Sequence, residues 1–323
     1  MNTDITHFLQ DLRLTVIALN ELPLDKLDTD TTLLNEAFQI VQNHNLFSLH
    51  TYDESLQDKL KLELFSALCP LSGSLAFLII QTLAANRIMQ GNKFIKSDEY
   101  YKKQCGIIIN HLRVPKTVIS STKTETGYKL NGHLTWASGY QIFDTLVVGF
   151  HCEGVEMQAV MPFEQQNGCN IGQRDETLVG ISMNTVSIKL DNLFIPHENI
   201  INTQPIGVYT QQKSISKTVH IALYGIGLGA IEVIKDSELK EEASKRLEFQ
   251  KDAFMRTTDG NEMNKLRIDL FTLIQKIITT AMTLIGGKSI LSSEMLQRYY
   301  REIIMFNSNG LNSEIKQLFK EAF

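Results

Sequence analysis

Basic charge, paired cysteines and long hydrophobic runs are all scarce in this sequence. Its 323 residues carry a net charge of -5, which argues against a general nucleic-acid-binding protein because no basic excess is available to neutralise phosphates. The four cysteines are widely spaced, without the pattern of a zinc site or of a disulfide framework. We therefore expect reduced thiols and no metal site. The longest apolar stretch, Leu75 to Ile80, is far shorter than the roughly 20 residues of a transmembrane helix.

The beginning of the chain also lacks a targeting pattern. Met1 to Leu14 contains Asp4 and Asp11 and has no unbroken apolar core, which is not typical of a signal peptide. With 43% apolar and 21% charged residues, the composition is that of a globular protein. The length corresponds to about two domains, or to one domain with clear subdivisions. We expect a soluble, cytoplasmic protein.

Glycine and proline divide the chain into three zones. Between Gly106 and Pro205 lie nine of the 19 glycines and four of the six prolines. Turn residues at this density, between short runs rich in β-branched and aromatic residues, predict a β zone. The predicted strands cover segments 106–112, 118–124, 128–136, 145–150, 156–162 and 185–190.

Helical patterns flank the β zone on both sides. Segments 56–69 and 75–89 are rich in leucine and alanine, and the Pro-Leu-Ser-Gly quartet at 70–73 predicts a turn between two helices. After the β zone, segment 235–248 is a charged, solvated helix. Segment 262–285 has a wide apolar stripe at helical spacing, which predicts contacts on more than one side, including with another subunit.

A third predicted helix of the last zone is rich in small residues. Segment 221–234 contains Gly225, Gly227 and Gly229. Each glycine inside a helix costs about 1 kcal/mol relative to alanine. We therefore expect these glycines to mark close packing against neighbouring elements.

Three motifs resemble one known family. Residues 127–139 read Gly-Tyr-Lys-Leu-Asn-Gly-His-Leu-Thr-Trp-Ala-Ser-Gly. Residues 185–196 end in Leu-Asp-Asn-Leu-Phe-Ile-Pro, and Gly286-Gly287 is followed at 296–302 by Leu-Gln-Arg-Tyr-Tyr-Arg-Glu. In their order and spacing these segments are similar to the acyl-CoA dehydrogenase family, whose first motif reads Gly-Tyr-x-Leu-Asn-Gly-x-x-x-Trp-(Ile/Val)-(Thr/Ser)-Gly.

The resemblance implies an α+β fold in three parts. These are an N-terminal helical domain (1–105), a central β-barrel (106–205) and a C-terminal helical bundle (206–323). The family's Arg-x-x-Phe-Gly motif has a partial counterpart in Arg246-x-x-Phe249, and its distance to Gly286 is about half of what the family shows. This short distance implies that the C-terminal helical bundle is shortened. The family also implies a homodimer or homotetramer formed through this bundle.

The resemblance further implies FAD as the cofactor. In the family the tryptophan lies near the isoalloxazine ring and the following hydroxyl donates toward flavin N5, and Trp136 and Ser138 match these positions. Asn110 lies in segment 109–115, where the family has Thr-Glu-Pro-x-x-Gly-Ser-Asp near the flavin. Gly286 and Gly287 could let the backbone approach the dinucleotide. The alternatives are a barrel tryptophan with a turn serine, and a glycine cap at the end of a helix.

No catalytic residue can be named from the sequence. Removing the α-proton of an acyl thioester requires a positioned base. The family's glutamate falls here on Asn309 or Gly310, and segment 207–231, where some members carry it, contains no acid. His111 and His220 are alternatives for acid–base work, although lone histidines are more often structural.

Two arginines of the last motif, Arg298 and Arg301, could hold a phosphate or form ion pairs between helices. The resulting hypothesis is a flavin-dependent oxidoreductase acting on an acyl thioester or a similar small apolar substrate. The alternatives are a catalytically inactive relative that serves binding or assembly, and an acyl-chain binder without redox chemistry.

Overall fold

Helices come first and last along the chain, and strands fill the middle. The computed structural model describes residues 2–113, 117–211, 216–308 and 310–322. The first helices are α1 (Asn2–Asn20), α2 (Thr31–Asn43), α3 (Glu54–Leu68), α4 (Gly73–Gly91) and α5 (Ser97–Tyr100). The strands are β1 (Cys105–Ile108), β2 (Ile119–Lys123), β3 (Gly127–Ala137), β4 (Thr145–Cys152), β5 (Val155–Pro162), β6 (Cys169–Arg174), β7 (Val186–Pro196) and β8 (Ile200–Pro205). The last helices are α6 (Val208–Gln211), α7 (Thr218–Glu232), α8 (Ser237–Arg256), α9 (Gly260–Ile285), α10 (Met295–Ser308) and α11 (Ser313–Glu321).

The α+β class is confirmed, but the prediction of a central β-barrel is wrong. The described strands form two separate sheets, with the orders β1-β4-β5-β8 and β2-β3-β7-β6. The sheets meet face to face, as the rings of Tyr128 on β3 and Phe150 on β4 show at 5.6 Å. Where β2 approaches β4, the Ser121 hydroxyl donates to the His151 carbonyl at 2.7 Å. The two described strands are not paired through backbone hydrogen bonds and belong to different sheets. The middle zone is therefore a sandwich with open edges.

The strand predictions hold for β1 to β5 and for β7, although the first one was too long. β1 ends at Ile108, and Asn110–Arg113 forms a 3₁₀ helix. Two strands, β6 and β8, were not predicted. Both lie at sheet edges with exposed polar residues, so the alternation of buried and exposed side chains that marks a strand is weak in their sequences.

Helix α7 confirms the packing that its glycines predict. A Cβ at Gly225 would overlap the Phe65 carbonyl oxygen of α3, and one at Gly229 would lie 2.7 Å from the Tyr299 hydroxyl of α10. A Cβ at Gly227 would lie 3.0 Å from the Leu247 side chain of α8. The three glycines thus let one helix approach three different neighbours.

Helix α9 joins the bundle but leaves its end uncovered. Its first two thirds pack against α7, α8, α10 and α11 through buried residues such as Leu270 and Ile277. Leu284 and Ile290, at and beyond its end, are 62% and 74% exposed. Gly260–Ile290 is long and apolar enough to span a membrane by length and composition alone, a test that core helices of soluble proteins also pass.

Candidate functional site

The tryptophan of the first motif lies on a β-bulge. Leu134 of β3 pairs with Ile188, but Ala137 pairs with Val186, so one more residue lies on β3 than on β7 between these pairs. Trp136 occupies the bulge with φ of +62° and is 67% exposed. A bulky residue in the left-handed region is strained, and such strain persists only where the surroundings enforce it. The bulge therefore holds a large aromatic ring out to solvent at a conformational cost.

The residues after Trp136 form a tight and buried turn. The Ser138 hydroxyl lies 2.8 Å from the Thr185 hydroxyl, and the two side chains are 9% and 3% exposed. The Gly139 N–H donates to the Met183 carbonyl at 2.6 Å. Gly139 has φ of +90°, and a Cβ there would overlap the Phe143 ring, so only glycine fits. The hydroxyl that accepts in the serine–threonine pair keeps its own proton for a further partner.

Asn110 belongs to a different sheet from this turn. It is exposed in the 3₁₀ helix that follows β1 of the first sheet, whereas Trp136 lies at the end of β3 in the second sheet and Ser138 follows that strand. A role of Asn110 toward a flavin stays a prediction. Pro115, the one residue of its segment that echoes the family motif, lies outside the described residues.

The two glycines of the third motif end a helix. Gly286 has φ of +77°, and its N–H donates to the carbonyls of Met282 and Thr283 at the end of α9. A Cβ at Gly286 or Gly287 would meet open space. The cap is thus the local role that the contacts explain. A role toward a dinucleotide stays a prediction.

Both histidines considered as acid–base residues are committed to the fold. His111 Nε2 lies 2.8 Å from the Gly149 carbonyl, and His220 Nε2 lies 2.9 Å from the Met263 carbonyl. Burial lowers the pKa of both rings, and it lowers that of His220 to about 4, so this ring is neutral at physiological pH.

Solved structures provide the comparison that decides the fold. No protein-family model and no curated protein matches the chain. A glutaryl-coenzyme A dehydrogenase in complex with glutaryl-CoA matches with a TM-score of 0.77 at 13% identity, over 96% of this chain and 93% of that one. Butyryl-CoA dehydrogenase from Megasphaera elsdenii matches with a TM-score of 0.69 at 14% identity, over 98% and 97%. The chain has the acyl-CoA dehydrogenase fold.

A protein bound to a flavin and a dTDP-linked sugar also matches this fold. KijD3 in complex with FMN and a dTDP-linked amino-keto sugar matches with a TM-score of 0.75 at 13% identity, over 98% of this chain and 92% of that one. The expected resemblance to the acyl-CoA dehydrogenases is therefore confirmed at the level of the fold.

Within this acyl-CoA dehydrogenase fold, the place predicted for the catalytic glutamate offers no acid. Asn309 lies outside the described residues, and Gly310, with φ of +62°, forms the turn between α10 and α11. The nearby Glu302 of α10 is buried and accepts from the Gly73 N–H at 2.9 Å. It holds the start of α4, and it does not face solvent.

Of the two arginines in the third motif, Arg298 forms an ion pair within its own helix, not the predicted pair between helices. Arg298 Nε lies 3.4 Å from Glu302 Oε1, and its guanidinium donates to the carbonyls of Pro70 and Leu71. Arg298 therefore ties α10 to the turn between α3 and α4. Sequence reasoning missed the Thr185 partner of Ser138, because no sequence pattern marks a contact between hydroxyls 47 positions apart.

Proposed function

We propose that the protein is a flavin-dependent oxidoreductase that acts on an acyl thioester or a similar small apolar substrate. The observation that carries the proposal is the strained, 67% exposed Trp136 on its bulge. Folding alone gains little from an exposed indole in the left-handed region. An aromatic ligand that stacks on the ring would explain why the strained conformation is kept, since strained residues cluster at functional sites.

The residues around Trp136 fit a flavin in their chemistry. A bound flavin would supply the two-electron acceptor that no side chain of this protein offers. Trp136 would hold the ring system, and the Ser138–Thr185 pair retains one hydroxyl proton to donate to its electron-rich edge. For the cofactor form we propose FAD, with Asn110, Gly286 and Gly287 as further contacts. FMN, the smaller flavin that is bound in the KijD3 structure, is the form to compare with FAD.

An inactive binding or assembly protein is the second candidate. It is favoured by Gly310, which has no side chain at the place predicted for the base. Two shallow surface grooves lie in the part of the chain that the structure describes. One is lined by Arg246, Phe249 and Leu273, the other by Gln42 and other polar residues, and neither includes Trp136.

Absorption and fluorescence spectra test the proposal directly. Trp136 is the only tryptophan, so a flavin stacked on it should quench the protein's indole emission. We expect purified protein to bind FAD with quenching, Ser138→Ala to shift the bound flavin's reduction potential, and acyl-CoA to bleach its visible band. Chromatography of the released flavin distinguishes FAD from FMN. Absence of both colour and quenching with excess FAD and FMN would refute the oxidoreductase and leave the inactive binding protein.

We also propose a cytoplasmic homodimer or homotetramer, formed through the C-terminal bundle. The exposed apolar side chains beyond the middle of α9 support it, among them Leu284 and Ile290. The division into domains at 105 and 205, and the shortened bundle, are part of the same proposal.

A further inference from the structure

Two largely buried lysines converge on one aspartate, in the first half of α3 and at the start of α7. Lys61 Nζ lies 3.4 Å from Asp58 Oδ1, and Lys217 Nζ lies 3.9 Å from Asp58 Oδ2. The lysine side chains are only 10% and 13% exposed. Lys217 also donates to the Met255 carbonyl at 2.6 Å. A single carboxylate therefore faces two largely buried ammonium groups.

The rim of this cluster adds a second, looser ion pair. Arg87 Nη2 lies 3.7 Å from Glu54 Oε1, and both side chains are exposed. All three charge pairs are longer than the 2.7–2.9 Å of a charge-assisted hydrogen bond. The three cations of these pairs, Lys61, Lys217 and Arg87, are matched by only two carboxylates. The five side chains therefore carry a net charge of +1.

The buried position makes this excess charge costly. Burial lowers the pKa of Lys61, the neighbouring Asp58 raises it, and Arg87 lowers it again. A buried charge is stable only when its partners compensate for the lost hydration. Here the compensation is incomplete, so an added anion would stabilise both lysines.

The start of α7 increases the positive potential at the same place. α3 and α7 run in parallel, because Asp58 lies beside Lys217 at their starts and Phe65 contacts Gly225 about two turns later. Lys217 is the N-cap residue of α7, and its side chain makes no capping hydrogen bond. Serine, aspartate or asparagine usually occupies this position. The positive end of the α7 dipole therefore adds to the charge of Lys217.

We propose that Lys61, Lys217 and Arg87 bind the phosphate group of an anionic ligand. Phosphate matches the site because lysines recognise it as point charges and the start of α7 favours an anion. Binding at this place stands on its own contacts. The interpretation that this phosphate belongs to a carrier molecule to which the substrate is attached rests on the proposed function.

A series of contacts leads from this cluster toward Trp136. The far end of α3 leads into α4, where the Ser74 hydroxyl and the Gly180 N–H both donate to Asp28, at 2.9 and 2.7 Å. The loop that contains Gly180 also bonds the turn after Trp136. From Lys61 to its end at Leu68, α3 extends about 10 Å at 1.5 Å per residue. The phosphate site therefore lies near the middle of α3, and the contacts that lead toward Trp136 begin beyond its far end.

Titration calorimetry with inorganic pyrophosphate tests the site without any flavin. We expect binding that weakens at least about tenfold in Lys61→Met and in Lys217→Met, because each loses a hydrogen bond to a charged group. Asp58→Asn should instead strengthen binding, since it removes the competing carboxylate. Lys245→Met is the matched control: Lys245 is exposed and paired with Glu241 within α8.

The titrations distinguish a phosphate site at these lysines from its absence. No binding of pyrophosphate, or equal affinity in Lys61→Met, Lys217→Met and Lys245→Met, would overturn the proposal. Circular dichroism checks that each variant is folded, and Asp58→Asn keeps the test decisive if a lysine variant is not. Coenzyme A and a nucleoside diphosphate are titrated next. Affinity above that of pyrophosphate, lost again in Lys61→Met, would identify the carrier, whereas a colourless protein that still binds pyrophosphate would refute only the flavin.

Discussion

At the scale of single residues, Trp136 separates a ligand role from a structural one. Its left-handed backbone costs roughly 1–2 kcal/mol, and its 67% exposed ring buries little surface. We expect Trp136→Gly to leave the free energy of unfolding unchanged or to raise it by up to about 1 kcal/mol, measured by urea unfolding with circular dichroism. Leu134→Gly, at a buried position of the same strand, should lose several kcal/mol. A large loss in Trp136→Gly would mean that the indole serves the fold.

Glu302 gives the stability of the protein a pH dependence. Burial raises the pKa of this carboxyl to about 7, against the lowering effect of Arg298 and of the bond from Gly73. Its pKa in the unfolded chain is about 4.5, so the folded state holds the extra proton and stability decreases as pH rises from about 4.5 to 7. The slope is at most about 1.4 kcal/mol per pH unit. We expect Glu302→Gln to flatten it in denaturant melts at pH 5, 6 and 8. An unchanged slope would contradict this.

At the scale of elements, the glycines of α7 predict a graded series. The Phe65 carbonyl that opposes Gly225 is backbone and cannot move away, so Gly225→Ala should cost at least about 2 kcal/mol. At Gly227 the neighbours are flexible side chains at 3.0 Å or more, and the gain in helix propensity of about 1 kcal/mol offsets the crowding. Gly227→Ala should therefore be nearly neutral in chemical denaturation. Equal effects at both positions would contradict the packing.

Elements with a strong repeating pattern could be predicted from the sequence, and contacts between them could not. The helices α3, α4 and α9 follow from their apolar spacing, and β3 and β7 from their alternation. The edge strands β6 and β8 have little apolar pattern to detect. For the site, the motif indicates Trp136 and Ser138, but the bulge depends on pairing with β7. The convergence of Lys61 and Lys217 depends on how α3 and α7 pack, which no local pattern encodes.

At the scale of the whole molecule, the described residues around the end of α9 include a group of exposed apolar side chains. Leu284, Ile290 and Leu291 are 62%, 74% and 52% exposed around the end of α9. We expect light scattering to give two or four times the 36.6 kDa of one chain. Ile290→Glu should lower the mass, because it places a charge in an apolar interface. Leu9→Glu, at an exposed apolar residue of α1, is the control. A monomer in the unmodified protein would contradict the oligomer.

The bond between Gly73 and Glu302 has a consequence for synthesis on the ribosome. It joins residues 229 positions apart, and Arg298 adds its donors to the turn just before Gly73. The start of α4 therefore waits for its partners until α10 has been translated. A product that terminates before α10 would leave the joint between α3 and α4 without them. We expect such truncated products to be substrates for chaperones and proteases, because the joint between α3 and α4 is completed only by α10.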